Sequence, residues 1–106
     1  MSDAGRLLAE RRRAREGERR RYDRLRQAHM NIVRLPADQR RRLMREAHSR
    51  IDQWERAGLC AQYYVDSWRA LLEAPVDEFA QVLSADNARS NALLQNSPLS
   101  ASIEIV

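Results

Sequence analysis

Between Ala37 and Ala57 the apolar side chains Leu43, Ala47, Ile51 and Trp54 recur in steps of four, four and three, with Met44 at the edge of the stripe. That spacing puts them on one face of an α-helix, while Arg40, Arg41, Arg42, Arg45 and Glu46 supply the wet side. Leu35-Pro36-Ala37-Asp38 reads as a turn with proline in the first helical turn. Gly58 stands where a left-handed C-terminal cap belongs. A third helix, about 60–73, carries Tyr64, Trp68, Leu71 and Leu72 inward and ends before Pro75, because a residue ahead of proline is pushed out of helical geometry. Pro75 then opens a short fourth helix with Val76, Phe79, Ala80 and Leu83 on its apolar face, and Asp77 and Glu78 suit its positive end. Ser84-Ala85-Asp86-Asn87 is a capping segment ahead of a fifth helix through Leu93 and Leu94.

The pattern thins toward the N-terminus. Residues 4–29 predict one more helix, in which Leu7, Ala14, Tyr22, Leu25 and Ala28 recur near heptad spacing, but Arg11 and Glu18 occupy seam positions. Residues 9–21 are polar on every side, and such a helix has no core of its own. It is either solvated and partly frayed or folds on a partner. After Asn96, Asn-Ser-Pro stops any helix, and the rest reads as a flexible tail. Its end, Ile103-Glu104-Ile105-Val106, alternates weakly, a pattern that suits strand addition to another chain.

The expected fold class is therefore all-α: a small bundle of three to four short helices with a long charged N-terminal helix. The expected organisation is a charged arm over 1–30, a compact domain over 31–95 and a flexible tail over 96–106. Low glycine, proline and isoleucine content and the absence of threonine agree with the helical reading. A core of about 60 residues is marginal on its own, so a homo-oligomer is expected. Met30-Asn31-Ile32 is also a plausible second start, which would make residues 1–29 an extension.

Charge changes the picture more than composition does. All 19 basic residues are Arg, and the net charge is +4. Coding bias explains the missing lysine as well as a requirement for guanidinium forks does. The charge is divided: residues 1–30 carry +5, residues 31–60 carry +3 and residues 61–106 carry −4. Two surfaces with different partners follow from this, one of them anionic; pairing of the two halves, within a chain or head to tail, is the alternative. Arg11, Arg12, Arg13, Arg19, Arg20, Arg21 and Arg24 are the candidate phosphate contacts for nucleic acid. A solvated charged helix is the competing reading, since Glu10, Glu16, Glu18 and Asp23 dilute the field.

Other chemistry is absent from the pattern. No apolar run approaches the ~18 residues of a membrane span, and no secretory leader is expected, because Leu7 and Leu8 run at once into Glu10 and Arg11. One cysteine, Cys60, cannot form an internal disulfide and reads as a small core residue in a reducing cytoplasm. His29 and His48 have no ligand-spaced partners, so no metal site is expected. There is no Gly-rich phosphate loop, no cofactor signature and no nucleophile setting, so no catalysis is expected. The aromatic cluster Trp54, Tyr63, Tyr64, Trp68 and Phe79 reads as core, with Tyr63 and Tyr64, together with Ile103 and Ile105 in the tail, as candidate anchors for a protein partner.

Two stretches resemble known groups. Glu10-Arg11-Arg12-Arg13-Ala14-Arg15-Glu16, with Tyr22 as a stacking aromatic, resembles the arginine-rich RNA-binding helices of phage antiterminator N proteins, which implies an RNA partner. Tyr64-Val65-Asp66-Ser67-Trp68-Arg69-Ala70-Leu71-Leu72 through Leu94-Gln95-Asn96-Ser97-Pro98-Leu99 resembles small bacterial proteins with a Trp-x-x-Leu-Leu helix and a Ser-Pro-apolar ending, which implies a bacterial accessory protein and assigns no particular activity. The functional expectation is a non-enzymatic bacterial binding protein of antitoxin-like or regulatory layout, with a nucleic-acid-facing front half and a protein-binding rear half. The alternative is a helical adaptor, or small subunit of an assembly, with no nucleic-acid role.

Overall fold

The computed structural model describes residues 3–103. Six helices follow in order: α1 (Asp3–Val33), α2 (Ala37–Ala57), α3 (Gln62–Glu73), α4 (Val76–Ser84), α5 (Ala88–Gln95) and a single turn, α6 (Ser100–Ile103). There is no strand among the described residues. The all-α expectation holds, with one refinement: α2 is a long helix of 21 residues rather than a short one.

The helix ends obey the local chemistry. Gly58 closes α2 at φ 64, ψ 28, and Leu59 N–H then bonds the Trp54 carbonyl at 3.0 Å, a reversal that a side-chain-bearing residue makes only at a cost. Asn87 caps α5 by accepting the Ser90 amide at 2.8 Å. Pro36 and Pro75 stand immediately before α2 and α4, and their carbonyls receive the first intrahelical bonds, from Arg40 and Phe79.

α2 and α3 form a helical hairpin, α4 and α5 pack on each other and on the C-terminal half of α1, and α3 touches both α4 and α5. Trp68 lies at the centre, fully buried. Its indole N–H donates to the Leu93 carbonyl at 3.1 Å, and Phe79 meets it edge-on at 6.4 Å. Ile51, Val65, Leu83, Leu93, Leu94 and Leu99 fill the same core, with Leu71 and Leu72 at its margin. Trp54 is half-buried against this core rather than inside it.

Two expected boundaries move. Packing of α1 begins near Tyr22, not after residue 30: His29 and Ile32 are buried, and Leu25, Met30 and Val33 pack on the core. The shift arises because the polar residues of this segment are internally satisfied and so do not mark a surface. The expected flexible tail from Asn96 is also corrected, since Ser97, Pro98 and Leu99 are buried. Arg50 donates to the Pro98 carbonyl, and Leu99 N–H bonds Ser97 Oγ at 3.0 Å. Ile103 ends α6 rather than starting a strand; Glu104, Ile105 and Val106 lie outside the described residues.

Candidate functional site

Residues 3–21 of α1 form a rod of about 28 Å at ~1.5 Å per residue, whose face at Arg15, Glu18 and Arg19 borders a cleft with Asp86 and Asn91 of the bundle. Almost every side chain on it is exposed. Arg11, Arg12, Arg13, Arg19, Arg20, Arg21 and Arg24 are all exposed, and none makes an ion pair or side-chain hydrogen bond among the described residues. Three consecutive helical positions fan over about 200°, so each arginine triplet covers more than half the circumference. The rod is cationic all round, interrupted by Glu10, Glu16 and Glu18. Leu7 and Leu8 near its tip are 53% and 58% exposed.

The arm is rooted by a polar joint that the sequence pattern did not reveal. Tyr22 Oη donates to Gln95 at 3.2 Å. Arg26 reaches into the bundle, with Nε on the Leu83 carbonyl at 3.0 Å and Nη2 on Asn91 Oδ1 at 2.6 Å, and it also pairs with Asp23 at 3.3 Å. Three residues on from Arg26, His29 is fully buried beside Trp68. Its Nδ1 bonds the Leu25 carbonyl and its Nε2 bonds Ser97 Oγ, both at 2.6 Å. A carbonyl only accepts, so Nδ1 carries the proton and Nε2 accepts the Ser97 hydroxyl. Burial pushes the His29 pKa down, against the raising effect of the Leu25 carbonyl, in keeping with the neutral ring. The only sequence signal for this role is the place of His29 on the Tyr22–Leu25–Ile32 stripe.

A second basic feature is built by α2, α3 and α4. Between α2 and the α3–α4 joint runs a groove of about 340 Å³. Arg40, Arg41, Arg45 and His48 form one wall, and Met44, Leu71, Leu72, Val76 and Phe79 supply the apolar surface. Arg40 is held in place because its Nη1 donates to the Val33 and Leu35 carbonyls beyond the end of α1. Arg41 and Arg45 are exposed and have no partner among the described residues. Among the described residues no carboxylate lines this groove, whereas Asp66 and Glu78 line the one between α3 and α4.

The remaining candidates are scattered. Tyr63 is 58% exposed and Tyr64 is half-buried on the core, the two rings meeting edge-on at 5.2 Å. Ile103 is at the far end of the chain from them in sequence, and Ile105 lies outside the described residues. Cys60 is free and half-buried against the core. No cluster of metal-ligating side chains occurs among the described residues, and none of their helices is long and apolar enough to cross a membrane. Among the described residues the ion pairs that join the front of the chain to its rear are those of Asp52 and Glu55 of α2 with Arg69 of α3, at 2.7 and 2.8 Å. Those bonds, with one from Gln62, hold the Glu55 carboxyl down at about 2. Compared with protein families, curated proteins and solved structures, the chain matches none, and both sequence resemblances rest on their residues alone.

Proposed function

We propose that this chain is a non-enzymatic binding protein, of regulatory or antitoxin-like layout, that engages nucleic acid through its arginine helix. One observation carries the reading: seven arginines stand exposed, with no ion pair among the described residues, on a helix anchored to the bundle at its C-terminal end. Guanidinium groups left without internal carboxylates keep their full capacity for phosphate oxygens. Cationic side chains all round the rod suit a groove with phosphates on both sides better than a flat surface. The bundle fixes the rod's direction through Tyr22, Arg26 and His29, which reduces the ordering cost of binding.

Fluorescence anisotropy with labelled duplex DNA and an RNA hairpin, titrated across salt, tests this. About six phosphate contacts should cost on the order of 10³-fold in affinity between roughly 50 and 200 mM salt. Replacing Arg11, Arg12 and Arg13 by Gln should lower the log–log salt slope by about 2–3. Absence of binding, or a slope unchanged by the triple substitution, would overturn the proposal. A protein adaptor is the second reading, favoured by the exposure of Leu7 and Leu8 at the arm's tip; it predicts no nucleic-acid titration at all.

A further inference from the structure

We propose that the groove between α2 and the α3–α4 joint binds a small amphiphilic carboxylate, its headgroup on Arg41 and Arg45 and its apolar body on Met44, Val76 and the exposed edges of Leu71 and Leu72. This inference is independent of the arm. Arg41, Arg45 and His48 are spaced four and three apart on α2, which aligns them in one row along the helix. Two guanidinium groups one turn apart form a fork for a single carboxylate, an arrangement worth more than either contact alone. Arg40, fixed on the carbonyls of Val33 and Leu35, adds positive charge without losing its structural bonds.

The opposite wall is apolar because it is the edge of the core. Leu71 and Leu72 close α3, and Phe79 sits one turn into α4. Such a lining offers nothing to the hydration shell of a fully polar anion, while an aliphatic body displaces water from it favourably. Charge decides the headgroup, since among the described residues three arginines and no carboxylate line the groove. Size decides between a small molecule and a protein segment. Its 340 Å³ falls at the lower end of the ~300–1,000 Å³ typical of small-ligand sites.

Isothermal titration of the full chain with decanoate, below its micelle concentration and at low salt, is the test. Saturable one-to-one binding is expected. Decanol, with the same body and no charge, should bind at least ~10-fold more weakly, and so should decanoate to the Arg41→Glu/Arg45→Glu variant. Both arginines are exposed and unpartnered, so the variant should retain its circular dichroism spectrum and thermal midpoint. Arg6→Glu/Arg89→Glu, which makes the same change of charge at exposed positions outside the groove, should bind decanoate like the parent chain. Non-saturable uptake, equal binding of decanol, or equal loss in the two double variants would overturn the site and show only general attraction to a basic protein.

Discussion

His29 is the residue on which the two ends of the chain meet. Its ring joins the Leu25 carbonyl of α1 to Ser97, whose hydroxyl also receives the Leu99 amide. Burial keeps the folded pKa below the ordinary 6.5, so the unfolded chain takes up a proton at a pH where the folded one does not. Its contribution is therefore complete above pH 6.5 and is lost as pH falls below that value toward the folded pKa. Glu55 acts lower, contributing above its ordinary 4.5 and losing that contribution as pH falls toward about 2. Urea denaturation as a function of pH separates the two: His29→Gln should be less stable near neutrality yet lack the loss that begins below 6.5. An identical profile in both proteins would place that titration elsewhere. Trp68 provides the companion test of the core. It is fully buried and hydrogen-bonded to Leu93, so Trp68→Ala should cost ~3–5 kcal/mol, and a loss under ~1 kcal/mol would contradict the packing.

At the scale of the elements, Gly17 inside α1 and Gly58 at the end of α2 call for opposite outcomes. Gly17 lies in the exposed stretch of α1, and a Cβ there would meet nothing within 4 Å. Gly17→Ala should therefore stabilise the arm helix by about 0.5–1 kcal/mol, visible as a gain in helical dichroism with no change in the bundle's unfolding midpoint. Gly58 has equally open surroundings but a φ of 64, so Gly58→Ala should destabilise the α2–α3 hairpin by ~1–2 kcal/mol. The same contrast explains what the sequence made legible. Proline at 36 and 75, glycine at 58 and asparagine at 87 act through backbone geometry within a few residues, and the extents of α2, α4 and α5 could be read from them. The junction of arm and bundle could not, because Arg26, His29 and Ser97 look like surface residues until partners 57 to 68 positions away satisfy them. The groove was hidden for a related reason. Arg40, Arg41 and Arg45 read as the wet side of α2, and Leu71 and Leu72 as core, with no local signal that the two sets border one cleft.

For the whole molecule, shape and charge support the same division. The radius of gyration is 16.4 Å and the extents are 57 × 32 × 25 Å, against a radius of about 13 Å for a compact chain of this length. The excess is the arm, whose side chains from Asp3 to Arg21 are almost all exposed. A helix of that kind opens locally at low free-energy cost, while one in the bundle opens only with the core. Trypsin cuts after arginine, and the arm and the bundle both contain it, so cleavage order reports stability rather than composition. Brief digestion should cut first between Arg11 and Arg21 and leave a fragment starting near Tyr22, with Arg26 and Arg50 protected by their bonds to Leu83, Asn91 and Pro98. Early cuts at Arg50 or Arg69 would show that the bundle itself is open. Duplex DNA or RNA added before the protease should slow the arm cuts if the rod binds phosphates, whereas decanoate should leave them unchanged, because none of the residues that line its groove belongs to α1.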